Sequence, residues 1–151
     1  LTRRVAVAGG IATCVVLLDV LTKRLASIRF VDSPVVIILD FLVLTHTENP
    51  GAAFSLLQNA GPVLGLAAIA VSIGLLWSLR IDRPWPETVA FGLIIGGALG
   101  NLVDRVFRGS GFLDGKVIDW IELWWIPTFN IADMSITLAV ALLLIHGWLT
   151  R

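Results

Sequence analysis

The run VLGLAAIAVSIGLLWSL, Val63 to Leu79, is seventeen residues long and carries no charge. A hydrocarbon core about 30 Å thick takes ~20 apolar helical residues to cross, fewer where helix ends fray. In a chain of only 151 residues such a run reads as a membrane span. Three further runs of the same kind lie around it. Val5–Leu21 is apolar except for Thr13 and Asp19, and Val89–Val103 is largely apolar and continues into Asp104 and Arg105. Ile131–Leu149 is apolar apart from Asp133, Ser135, Thr137 and His146. With their flanking turns these runs give four expected spans, 5–26, 62–79, 88–106 and 131–149, in one domain covering 1–151.

Composition points the same way. The chain is 57% hydrophobic and 15% charged, with a mean hydropathy of +0.91, whereas about a quarter of a soluble domain is charged. The formal net charge is zero, so there is no basic surface for nucleic acid. The one cysteine, Cys14, excludes an internal disulfide framework and is expected to be a buried small hydrophobe. Arg3-Arg4 precede the first run as they would a signal peptide. Asp19, Lys23 and Arg24 follow it without a clear small-residue cleavage site, so it is expected to be retained.

Four spans place both termini on one side of the membrane. Leu1–Arg4, Arg80–Glu87 and Thr150–Arg151 hold five Lys or Arg in 14 residues, against six in 68 for Thr22–Pro62 and Asp104–Asn130. The denser side is expected to be cytoplasmic. Trp77, Trp85 and Trp148 then fall near the inner interface, and Trp120, Trp124 and Trp125 near the outer one, as two aromatic belts would. Gly92, Gly96 and Gly100, with Gly97 beside them, give the third span a face of small residues that a neighbouring backbone can approach closely.

Between the first two spans, Phe30–Ser55 is rich in β-branched residues and too short to span. It reads as strands broken near Asp40, followed by a turn at Asn49-Pro50-Gly51. A small outer sheet is expected over 30–58, resting on lipid or cupping a lipid-bearing ligand. Lys116–Phe129, rich in Trp and Ile, reads as a loop lying along the outer interface. The expected fold class is therefore mainly α: a four-transmembrane-helix bundle with a small β-sheet cradle and an interfacial loop on the extracytoplasmic side.

The acids carry the functional signal. Asp19 lies near the outer end of the first span, Asp104 closes the third, Asp133 opens the fourth, and Asp119 lies between the third and fourth. Four carboxylates thus converge at one depth, where ionised groups are costly and rarely idle. Asp19 and Lys23 stand at i, i+4 and can pair; Asn101 and Arg105, also four apart, face one way. Asp119 and Asp133 have no basic neighbour within four residues except Lys116. Two such carboxylates close together share a proton, so one can activate water while the other protonates a carbonyl oxygen. Plainer readings stand beside this one. Asp133 could be a helix-start acid behind an Asn130 N-cap, Asp119 an interfacial charge, Asp104-Arg105 a surface ion pair, and Asn49-Pro50-Gly51 a simple turn. His46 and His146 fall on opposite sides, and no Cys/His spacing suggests a metal or any other cofactor.

Five blocks resemble the bacterial lipoprotein (type II) signal peptidases. They are Asp19-Val-Leu-Thr22-Lys23, Asn49-Pro-Gly51-Ala52-Ala53-Phe54-Ser55, Gly100-Asn101-Leu-Val-Asp104-Arg105, Val117-Ile118-Asp119-Trp120 and Phe129-Asn130-Ile-Ala132-Asp133. The resemblance spans nearly the whole chain. It implies an aspartic endopeptidase that cuts diacylglyceryl-modified prolipoproteins just before the lipidated cysteine, with Asp119 and Asp133 as the dyad. It further implies that Asn49, Gly51, Asn101, Arg105, Asn130 and Ala132 line the site and that Asp19, Lys23 and Asp104 shape its polar surroundings. It also implies membrane lipids as surroundings, a globomycin-like lipopeptide as inhibitor, and a place in the bacterial inner membrane. Three departures stand out: a long Phe107–Lys116 stretch, Lys116 where His is common, and Met134 where Ser is common. Lys116 would set a cation near Asp119. The rival readings are a proton-coupled transporter using the same acids and a non-catalytic assembly subunit.

Overall fold

The computed structural model describes residues 3–39, 41–51 and 60–151. Asp40, where the sequence places a strand break, and Ala52–Ser55 of the second block lie outside the described residues, as does the rest of the expected sheet region up to 58. In chain order the elements are α1 (Arg3–Arg29), β1 (Val35–Ile38), β2 (Leu42–Asn49), α2 (Gly61–Ser78), α3 (Trp85–Phe107), β3 (Val117–Leu123), β4 (Ile126–Phe129) and α4 (Ile131–Leu149). All four helices are long and apolar enough to cross a membrane. The boundaries of α4 match the expected span, while α1 and α3 run a few residues beyond theirs.

Starts and stops follow local chemistry. Pro62 and Pro86 sit in the first turns of α2 and α3, where a missing N–H costs nothing. Asn130 caps α4, its side chain accepting from Asp133 N while the Asp133 carboxylate accepts from Asn130 N. This reciprocal box satisfies two N–H groups that a helix start leaves open.

α3 is the hub, packed against α1, α2 and α4. Its glycines make this possible. A Cβ on Gly92 would lie 2.9 Å from the Ala8 carbonyl oxygen, one on Gly96 2.7 Å from Val15 Cβ, and one on Gly100 2.7 Å from Asp19 Oδ2. Gly97 faces the other way, and its Cβ would lie 2.5 Å from the Ala132 carbonyl oxygen on α4. The buried face of α1 is Ala8, Ala12, Val15, Asp19, Lys23 and Ala26, a stripe at three- and four-residue spacing. Cys14 lies off that stripe and is exposed, facing the surrounding hydrocarbon rather than the core. An all-apolar run has no periodicity to show which side is which. Leu17, Leu18, Val63, Ile73, Leu138 and Leu144 point outward in the same way.

The four strands form one antiparallel sheet in the order β1-β2-β3-β4. Thr47 stands opposite Asp119 and Asn49 opposite Val117. This corrects the reading of Lys116–Phe129 as an interfacial loop, because the stretch is half of the sheet. The backbone N–H and C=O groups of β3 are satisfied by pairing with β2 on one side and β4 on the other. Trp124, at φ 42, turns the chain between β3 and β4, and Trp124 and Trp125 are exposed there. The sheet sits at the end of the bundle where α1 and α3 finish and α2 and α4 begin.

The close α3–α4 approach is testable. Gly97→Val should lower the thermal unfolding midpoint in detergent, since overpacking a tight contact costs about 1–3 kcal/mol. Gly74→Ala, at a position where an added Cβ meets nothing within 4 Å, should leave the midpoint unchanged. Equal midpoints for the two variants would contradict the packing described.

Candidate active site

Strand alternation aims Asp119. Val117 and Asp119, two residues apart on β3, share a face and line the same cavity, as period-two geometry requires. Asp119 is 3% exposed. Its Oδ2 accepts from Asn49 Nδ2 at 3.1 Å and its Oδ1 from Asn130 Nδ2 at 2.6 Å. Helix geometry aims Asp133, the third residue of α4. Its Oδ1 accepts from Asn101 Nδ2 at 2.9 Å and its Oδ2 from the Asn130 backbone N–H at 3.3 Å. Asn130, fully buried, therefore holds both carboxylates, one with its side chain and the other with its backbone. The N-cap reading of Asp133 holds, and the Asn130 that caps the helix also joins Asp133 to Asp119. The same holds for Asn49-Pro50-Gly51: Asn49 Oδ1 accepts from Gly51 N at 3.0 Å to make a turn, and that turn leaves Asn49 Nδ2 free to reach Asp119.

Behind this pair lies a buried charge cluster. Lys23 Nζ lies 2.6 Å from Asp19 Oδ2, 2.9 Å from Asp104 Oδ2 and 2.8 Å from Asn101 Oδ1, with no exposure. The expected Asp19–Lys23 pair is present. Asp19 Oδ1 also accepts from Ala132 N at 2.9 Å, which ties α1 to the start of α4. Asp104 Oδ2 accepts from Ile118 N at 3.2 Å, and Arg108 Nε donates to its Oδ1 at 2.5 Å. Asp104 and Arg105 are therefore not a surface ion pair: both are buried and they point to different partners. Arg105 Nη2 donates to the Gly51 carbonyl oxygen at 3.0 Å, and its buried Nη1 has no hydrogen-bond partner among the described residues.

Lys116 does not set its charge beside Asp119. It pairs at 2.8 Å with Glu48 on the exposed side, because an odd separation along an extended chain puts the two side chains on opposite faces. This pairing draws the Glu48 carboxyl below its ordinary value. The cations that do act on Asp119 are Lys23 and Arg105. Burial, with the negative charge of Asp133 as a smaller cause, pushes the Asp119 carboxyl from its ordinary 3.8 up to about 6, against the opposing hydrogen bonds of Asn49 and Asn130. A carboxyl raised in this way still holds a proton where an ordinary carboxyl has lost it, as a group that must act as an acid requires.

The pair opens into a cavity of about 840 Å³, within the range of small-molecule sites. One end is polar, with Asn49, Asn101, Arg105, Asp119 and Asp133. Apart from Thr128 and Thr137 the rest is apolar, lined by α2 through Leu64, Ala67 and Val71 and by α4 through Met134 and Leu138. The sequence carried no signal for the α2 contribution, since an uncharged span does not show which side faces a site. Arg108, which holds Asp104, was also missed, although its i, i+4 spacing was there to be read.

A family model described as signal peptidase (SPase) II matches residues 11–149. A lipoprotein signal peptidase of Mycobacterium avium is 41% identical over 145 residues, covering 95% of this chain and 79% of that one. One from Mycolicibacterium smegmatis is 44% identical over 137 residues, 89% of this chain and 57% of that longer one. A solved bacterial membrane enzyme superposes with a TM-score of 0.84 at 31% identity, covering 95% of this chain and 88% of that one. The five sequence blocks, the four-helix bundle with its sheet and these matches agree, and the chain belongs to the signal peptidase II family.

Proposed function

We propose that this chain is an aspartic endopeptidase that removes signal peptides from diacylglyceryl-modified prolipoproteins, with Asp119 and Asp133 activating water for a cut just before the lipidated cysteine. The observation that carries the reading is the double grip of Asn130 on both carboxylates. That grip brings a strand acid and a helix acid together in the wall of a largely apolar cavity. With one proton between them, one carboxylate takes a proton from water and the other donates to the scissile carbonyl oxygen.

The placement suits a lipid-anchored substrate. The diacylglyceryl chains of such a substrate lie in the outer leaflet, so its scissile bond sits near the membrane–water boundary. The dyad lies at one end of the helices, and the Lys/Arg-dense segments lie at the other. We place the termini in the cytoplasm and the site on the extracytoplasmic side of the inner membrane, following the density of positive charge. Each buried CH₂ of the lipid contributes about 0.8 kcal/mol of membrane binding, and the apolar lining between α2 and α4 offers a matching surface. Globomycin-like lipopeptides have the same mix of apolar chain and peptide and fit the same cavity.

Three outcomes test the reading. Asp119→Asn and Asp133→Asn should each lower cleavage of a lipidated substrate by ~10³-fold or more while the protein still purifies folded; normal processing by either variant would refute the dyad. A substrate without its diacylglyceryl group should be turned over far more slowly, and equal turnover would remove the membrane-delivery argument. In difference infrared spectra, a protonated carboxyl band should fade as the pH rises through about 6, the value to which Asp119 is raised. That band should be missing from Asp119→Asn.

A further inference from the structure

Asp119 and Asp133 each accept two N–H donors, yet their settings differ. Asp133 stands in the first turn of α4, where the open N–H groups of a helix start favour negative charge. Asp119 lies on a strand, which has no comparable dipole, and is more deeply buried than Asp133. The Asn101 amide adds a third difference: Asn49 is held by Gly51 N and Asn130 by Asp133 N, both neutral donors, whereas Asn101 is held by an ammonium, which strengthens the bond its NH₂ group gives. Its Oδ1 accepts from Lys23 Nζ at 2.8 Å and from Asn130 Nδ2 at 3.2 Å. Reversing it would set an NH₂ group against an ammonium, donor against donor. Its Nδ2 is therefore committed to Asp133, and a fixed donor favours a carboxylate over a carboxylic acid. The charged groups facing the dyad are Lys23 and Asp19 from α1 and Asp104 and Arg105 from α3. Lys23 is shared between the two acids of its own cluster, while Arg105 acts on both Asp119 and Asp133.

We propose that Asn101, its amide locked by Lys23, is a positioning residue that makes Asp133 the base and leaves Asp119 as the acid. The assignment rests on the aspartic-peptidase reading and divides its labour. The Asp133 carboxylate takes a proton from water as the water oxygen bonds to the scissile carbon. Asp119 gives its proton to the carbonyl oxygen, forming a gem-diol. In the return step Asp133 protonates the leaving nitrogen and the C–N bond breaks. One diol hydroxyl then returns its proton to Asp119, so both groups end as they began.

The test is the pH profile of kcat on a peptide carrying a diacylglyceryl cysteine, since kcat reports the substrate-bound enzyme. Asn101→Ala should lower kcat and displace the acidic limb of the bell, leaving the alkaline limb in place. Asn49→Ala removes a donor from Asp119 and should move the alkaline limb up by about one pH unit, leaving the acidic limb in place. The opposite pattern of limb shifts would reverse the roles and overturn the assignment, as would unmoved limbs with a change in KM only. If Asn101→Ala does not fold, Asn49→Ala alone decides: a shifted acidic limb, or no shift, overturns the proposal. Failure of the peptidase reading itself shows elsewhere, as undiminished cleavage by Asp119→Asn or Asp133→Asn.

Discussion

The fully buried ammonium of Lys23 is paired with the carboxylates of Asp19 and Asp104 and donates to the Asn101 amide oxygen. Each acceptor passes the constraint on to a different part of the site. Asp19 holds the first turn of α4 through Ala132 N, Asp104 holds β3 through Ile118 N, and Asn101 holds Asp133. A buried ion cluster is seldom a net source of stability, but removing one member leaves an uncompensated charge at a cost of about 3–5 kcal/mol. Its effect here is on geometry. It permits one arrangement of α1, α3, α4 and β3, and that arrangement is the one that joins Asp119 to Asp133 through Asn130.

This cluster depends in turn on residues with no chemistry of their own. Asp19 reaches Lys23 and α4 only because Gly100 offers no side chain on the facing surface of α3. Gly92 and Gly96 let α1 lie against α3 along its length, and Gly97 does the same for α4. Without a hydrophobic force between helices in lipid, close backbone approach and interhelical hydrogen bonds must hold the bundle. The glycine face supplies the first, and the Lys23 cluster supplies the second at the end where the site lies. Elsewhere the helices present leucine, isoleucine and valine outward.

Much of this was legible in the chain. The four spans follow from length and hydropathy, and the start of α4 follows from Asn130 as a cap. Asp119 and Asp133 stood out because neither has a neutralising cation on its own element, and folding did not bring them a dedicated one. What could not be read is what depends on direction rather than composition. Cys14 sits in a run whose only polar breaks are Thr13 and Asp19, and its buried side is the one that meets Gly92 and Gly96 on another helix. Lys116 is three residues from Asp119 in sequence yet faces away, which only a strand assignment reveals. Asn49-Pro50-Gly51 and Asn130 were read as turn or site, cap or site. In each case the local hydrogen bond is what presents the amide to the carboxylate, so the alternatives were not exclusive.

The strand assignment of Val117–Leu123 has a physical necessity behind it. A carboxylate brought to the edge of the hydrocarbon by irregular backbone would leave unpaired N–H and C=O groups where water is scarce, at several kcal/mol each. A strand avoids this only if paired, and β3 is paired on both sides, with β2 and β4. Pairing then fixes alternation, and alternation turns Asp119 inward and leaves Glu48 and Lys116 to meet outside. The sheet is thus the means by which a non-spanning segment holds an acid against the first turn of α4. The sequence between the first and second spans shows a sheet because β2 must exist for β3 to do this.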